Sequence, residues 1–222
     1  MPPHQIRFVA ISMLLSAGTA FAGPDWVEHG DAGSDLRSSQ VTLGSGPMSS
    51  ITGTLGSGRM GLDLEDMYLF RVLDPSIFTM KISGASFDAQ LFIFNVTIPG
   101  EAFGLLGNDN TPLGNSPVIT PMANDGTGAT LKFPGVYAVA ISGAGRVPVS
   151  INGPIFNFVN PNELSGPDGP GGLNPHIGWS GEGQTGDYNV QLTGVGFYDV
   201  PTPGSSLVVL GAGVAAARRR RR

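Results

Sequence analysis

The sequence predicts an all-β protein, an antiparallel β-sandwich. Three observations carry that expectation. Between Gly23 and Val200 no stretch keeps a 3.6-residue apolar period or forms a block of Ala, Leu, Glu and Lys, so amphipathic helices are not expected. Short runs rich in β-branched and aromatic residues alternate with Gly, Pro, Asn and Asp, the pattern of strands joined by turns. With 34 Gly, 18 Pro and no Cys in 222 residues, turns are frequent and the core must hold without disulfides.

The elements follow in chain order. His4 and Arg7 precede an apolar run from Phe8 to Leu15, and Ala20-Phe21-Ala22 has the small-x-small form of a cleavage site. Residues 1–22 are therefore expected to be a secretory signal peptide, removed by signal peptidase to leave Gly23 as the first residue. Residues 23–48 read as an extension packing on a sandwich that spans 49–199.

Ser49 to Leu55 is the first clear strand. Asp66 to Leu73 follows, with Tyr68, Phe70 and Val72 on one face and Met67, Leu69 and Arg71 on the other. Asp74-Pro75 turns the chain into Ile77 to Ser83, where Phe78, Met80 and Ile82 alternate with Thr79 and Lys81. Further strands are expected over Ala89 to Asn95, Ser116 to Thr120, Ala129 to Phe133, Val136 to Ser142 and Tyr188 to Thr193. Two of them share a nine-residue pattern, Gly135 to Gly143 and Gly186 to Gly194, each with Gly-x-Tyr at the start and Gly at the exit. In this setting a Tyr ring can cover the core edge while its hydroxyl reaches a backbone carbonyl. Between the pair lies a Gly/Pro-rich stretch, about 143–185, long enough to be functional or mobile. Val147 to Ile151 and Ile155 to Val159 are its candidate strands, Ile177 to Trp179 is expected to pin its far end, and its Gly/Pro portion is expected to be the least ordered part of the body.

The chain closes with Val200-Pro201-Thr202-Pro203, an apolar stretch from Ser205 to Ala217, and Arg218, Arg219, Arg220, Arg221 and Arg222. As a short helix the apolar part would reach about 20 Å, against a hydrocarbon core of about 30 Å. It suits a brief stay at a membrane, with the arginines on the cytoplasmic side and the body outside.

Charge narrows the function further. Six of the twelve bases lie in the two terminal signals, leaving six against seventeen acids, a net charge near −11 for the body. No basic surface remains to neutralise phosphates, so nucleic acid is not an expected partner.

Residues 200–222 resemble the PEP-CTERM sorting signal, which exosortase-type transpeptidases read. Thr202 stands where that signal most often has Glu. The body resembles the bacterial pre-peptidase C-terminal (PPC) domains, which are sandwiches of jelly-roll type. The matching features are the acidic run before an aromatic strand (Asp63 to Phe70), Asp88 before a Leu-rich strand (Phe87 to Phe94), the polar turn Gly107-Asn108-Asp109-Asn110, and the Gly-x-Tyr strands. The departures are the enlarged segment before Gly186 and Asn110 where Asp is common.

These resemblances imply an exported, exosortase-processed protein of the cell envelope, cell surface or extracellular matrix, structural or adhesive rather than enzymatic. Membrane contact would be transient, through the C-terminal helix, and an extracellular polysaccharide is a candidate partner. The alternatives are a calcium- or carbohydrate-binding module and, further off, a secreted hydrolase. Some PPC-like domains carry calcium at acidic loops, which makes Asp63, Glu65, Asp66, Asp88, Asn108 and Asp109, with Asn110, the candidate ligands and Ca²⁺ the candidate cofactor. Hard Ca²⁺ takes six to eight oxygens from carboxylates, amides and carbonyls. The same residue types also form Asx turns at strand ends, and no EF-hand spacing is present. Catalytic residues are not assignable, because the sequence holds no Gly-x-Ser-x-Gly, His-Glu-x-x-His or phosphate-loop motif.

Overall fold

The computed structural model describes residues 24–58 and 61–198. The expected signal peptide with Ala20, Ala22 and Gly23 lies outside the described residues. So does the whole sorting tail, from Val200 to Arg222, with its expected helix. Within the described residues the protein is all-β, as the alternation predicts.

The N-terminal segment supplies β1 (Trp26–Val27) and β2 (Gln40–Val41), ahead of β3 (Ser50–Gly58), β4 (Gly61–Asp63) and β5 (Glu65–Val72). Asp74 caps a 3-10 turn at Pro75–Ile77, its Oδ1 accepting from Ser76 N at 2.9 Å. After it come β6 (Thr79–Ala85), β7 (Ala89–Asn95), β8 (Phe103–Asn108), β9 (Val118–Ile119) and β10 (Gly135–Gly143). The chain continues through β11 (Val147–Ser150), β12 (Gly153–Pro154), β13 (Leu164–Ser165) and β14 (Gly178–Ser180). It ends with β15 (Gly186–Thr193) and β16 (Val195–Gly196).

Two sheets form the sandwich. The first has the order β1-β3-β15-β6-β9, with β4 also on β3; the second runs β13-β8-β7-β10-β5-β16, with β2 also on β5. The long pairings are antiparallel, whereas β1 joins β3 and β2 joins β5 in parallel. Both exceptions come from the N-terminal segment, which adds an edge to each sheet.

The alternation of β5 sorts its side chains between two cores. Tyr68, Phe70 and Val72 face the first sheet and join Ile51, Phe78, Met80, Ile82, Val190 and Leu192 in the main core. Met67 and Leu69 face away, but not into solvent, because a second core covers them. Here Phe92 and Phe94 of β7 and Ala138 and Ala140 of β10 meet Ile155, Phe156, Phe158 and Trp179 from the long segment before β15. Each fully buried aliphatic or aromatic side chain contributes about 1.5–3 kcal/mol, so this second face is a substantial part of the fold.

The Gly/Pro-rich stretch is therefore not a loose loop. Part of it forms a small sheet of order β12-β11-β14, and the rest is held by backbone bonds such as Gly169 N to Ile155 O and Gly171 N to Pro154 O. Side chains are excluded there: a Cβ on Gly172 would stand 1.9 Å from Pro167 O. Close packing of backbone on backbone, not flexibility, explains the glycines. Val147–Ser150 is a strand as expected, whereas residues 155–159 instead supply the aromatic plug.

Two further expectations are corrected. Residues 129–133 form no strand and share only an isolated bridge between Met122 and Thr130. β8 is a strand the sequence hides, because Gly104 and Gly107 interrupt its alternation. Those glycines make room for the cover: a Cβ on Gly104 would lie 2.3 Å from Ile155.

Candidate functional site

The chain crosses from the first sheet to the second between β4 and β5, over Leu64. Asp63 closes β4 and Asp66 is the second residue of β5, so both lie where the mouth of the main core opens. Asp66 has the inward parity of Tyr68 and is fully buried. Asp31 reaches the same point from the N-terminal segment, and oxygens of Asp31, Asp63 and Asp66 lie within 4.8 Å of one another.

Each acid is held differently. Asp66 Oδ2 accepts from the Tyr188 hydroxyl at 2.5 Å, and the Tyr188 and Tyr68 hydroxyls stand 2.6 Å apart. Asp66 Oδ1 is buried with no hydrogen-bond partner. Asp31 Oδ1 accepts from Gly33 N at 2.9 Å. Beside them Glu28 takes Ala32 N at 3.1 Å and Thr54 N at 2.9 Å.

Burial pushes Asp63 up to about 6, with Asp31 and Glu28 adding repulsion. Burial also raises Asp66 to about 8, against the lowering effect of the Tyr188 bond. Glu28 is raised by burial as well. An approaching cation would reverse these shifts, since it favours the charged carboxylates. Two exposed or half-buried carboxylates and one buried, under-bonded one form an oxygen donor set of the type a hard divalent cation takes.

The six ligand candidates do not form one site. Glu65 and Asp66 point to opposite faces of β5, and Glu65 is ion-paired with Arg146. Asn108 lies in the same row of the second sheet as Asp66, through Ile141 and Leu91. Three strand spacings separate them, about 14 Å. Asn108 is a structural bracket: its Nδ2 donates to Asn110 O at 2.8 Å and Glu163 O at 2.7 Å, and its Oδ1 accepts from Val118 N at 2.7 Å. Asp88, Asp109 and Asn110 gather at this second place, beside the start of β7 and the end of β8.

Asp31 and Glu28 were missed by sequence reasoning. They lie some thirty residues before Asp63, in a segment without a regular pattern, and only the parallel pairing of β1 with β3 brings them in. Tyr188 was legible as a strand-entry Tyr but not as a ligand of Asp66. Its counterpart Tyr137 makes the expected bond to a carbonyl, at 2.9 Å from Phe133 O.

No protein-family model, curated protein or solved structure matches this chain.

Proposed function

We propose that this chain is an exported, surface-sorted β-sandwich with a structural or adhesive, non-enzymatic role in the cell envelope, on the cell surface or in an extracellular matrix. The observation that carries the reading is the three-part tail: Val200-Pro201-Thr202-Pro203, an apolar stretch too short for a stable span, and five arginines. The cleavable N-terminal pattern ending at Ala22 supports it.

The body is compatible with tethering from one end. Trp26 and Phe197 pack with ring centroids 6.4 Å apart, so the first and last described strands leave side by side. β16 pairs with Arg71 and Val72 at the end of β5 opposite Glu65 and Asp66. The last described strand, β16, thus lies at the end of β5 away from the acidic mouth.

The test is the intact mass and location of the protein in cells with and without the matching exosortase. A species starting at Gly23, lacking the arginines and found outside the cell only when the enzyme is present, is the expected result. Retention of Arg222 in the membrane in both strains would refute the reading.

A second reading rests on the Asp31, Asp63 and Asp66 group: the module takes Ca²⁺ at the acidic mouth, tying the N-terminal segment to the sandwich. A melting temperature that rises with Ca²⁺ and falls on chelation is expected, since a ligand bound only by the folded state stabilises it. The rise would be smaller in D63N.

A further inference from the structure

Eight buried side-chain nitrogen and oxygen atoms lack a hydrogen-bond partner among the described residues, and four of them fall in one place. They are Asp88 Oδ1, Gln90 Oε1, Asp109 Oδ1 and Asn110 Oδ1. All four are acceptors.

Their convergence follows from the sheet. β7 and β8 are antiparallel neighbours with Leu91 opposite Asn108, which puts Gln90 at the level of Asp109. Asp88 and Asn110 flank that pair at the same end of the two strands. Each carboxylate has one oxygen engaged and one bare: Asp109 Oδ2 accepts from Asn110 Nδ2 at 3.1 Å, and Asp88 Oδ2 accepts from Asn115 Nδ2 at 3.2 Å. Gln90 is only 3% exposed, so its bare oxygen is withheld from bulk solvent. The nearby cation Arg146 is committed to Glu65 and, at 2.6 Å, to Gly181 O.

Leaving buried acceptors without a donor is costly, and two carboxylates facing each other add repulsion. Burial raises both acids, and the charge of Asp88 adds to it at Asp109, while a side-chain hydrogen bond from Gln90 acts on Asp109 in the lowering direction and leaves the Gln90 Oε1 atom itself bare. A divalent cation answers both costs with one group. The donors are oxygens alone, two charged and two neutral, which excludes the preference of Zn²⁺ or Cu²⁺ for nitrogen and sulfur and matches Ca²⁺.

We propose that Asp88, Gln90, Asp109 and Asn110 form a Ca²⁺ site at the β7–β8 end of the second sheet, separate from the Asp31, Asp63 and Asp66 group. With only two carboxylates it belongs to the weak extracellular class, Kd about 10⁻⁴–10⁻³ M. The ion would also act on the cover. Asp88 N donates to Gln184 Oε1 at 3.2 Å and Asp88 O accepts from Ala144 N at 2.7 Å. Gln184 and Ala144 are the two ends of the segment that covers the second core, so an ordered Asp88 fastens both.

The inference does not depend on the sorting reading and is tested on the purified full chain. Calorimetric titration with CaCl₂ is made on D31N/D63N, which lacks the first acidic group, and on D31N/D63N/D109N. The double variant is expected to take up one equivalent of Ca²⁺ and to melt several degrees higher at about a hundredfold excess over Kd. Adding D109N should weaken binding at least tenfold and abolish the rise. In chelator D109N should melt no lower than its parent, because it removes repulsion; that comparison shows the variant folded. Absence of Ca²⁺ uptake and of any melting shift in D31N/D63N would overturn the proposal and leave water as the donor. An unchanged affinity in the D109N variant would overturn it equally.

Discussion

The Tyr188 hydroxyl links three buried groups through two short bonds, one to Asp66 and one to Tyr68. Y188F removes the group that bridges Asp66 and Tyr68 and leaves both under-bonded; urea denaturation should show a loss of about 1–3 kcal/mol. Gly53 opposite Tyr188 leaves the space this arrangement needs, since a Cβ there would stand 2.2 Å from the hydroxyl. G53A should therefore cost about 1–3 kcal/mol by overpacking and shift the near-ultraviolet signal of the tyrosines. His176 sets a pH dependence of its own. Burial among Phe94 and Trp179 lowers it from 6.5 to about 4, with Asp35 acting weakly in the other direction. The unfolded chain binds this proton first, so the stability is complete above pH 6.5 and is lost as pH falls toward 4, by at most about 3 kcal/mol. Asp63 and Asp66, raised by burial, gain stability as pH falls through the same range, so the test is a difference: between pH 7 and 4.5 the urea midpoint of the wild type should fall relative to that of H176F. Asp25 and Asp35, both lowered by hydrogen bonds, act below that window.

At the scale of elements, the cover over the second sheet is the part with a distinct energetic role. Phe156 packs against both Phe92 and Phe158, at 5.5 and 6.3 Å between centroids, and those two rings also meet each other at 6.0 Å. F156A should cost about 3–5 kcal/mol and speed proteolysis within residues 151–180, while the main core keeps its protection from hydrogen exchange. Much of the sandwich was legible. Residues such as Phe78, Met80 and Ile82 declare their inward face by alternation alone, and Ala89–Asn95 agrees to the residue. The cover was not legible, because Gly and Pro signal turns equally well whether the backbone is exposed or packed. One signal was available: Leu91-Phe92-Ile93-Phe94 is continuously apolar, the mark of a strand buried on both faces. For the candidate sites, the sequence named Asp63, Asp66, Asp88 and Asp109 but not Asp31, nor the division of the acids into two groups. Which acids meet is decided by register and by strand parity, and neither Asp31 nor Gln90 carries a local pattern that announces it.

For the whole molecule, the N-terminal segment joins the two sheets. β1 extends the first and β2 the second, while Trp26 enters the main core and Leu36 packs on the other. A chain lacking residues 24–48 should expose an edge of each sheet; size-exclusion chromatography should show soluble aggregates or no recoverable monomer. The order of strands has a consequence in time. β15 lies between β3 and β6 in the first sheet, and its residues are pairing partners of others more than a hundred positions earlier, such as Asn189 with Thr52. Non-local pairings of this type fold in milliseconds to seconds rather than microseconds. A chain threaded through a pore from its N-terminus thus cannot close its first sheet until its last long strand has emerged. Until residue 186 has been delivered β3 and β6 lack the strand between them, with Ile51, Phe78 and Met80 without the cover of Val190 and Leu192, and the aggregation hazard of the molecule is concentrated in that interval.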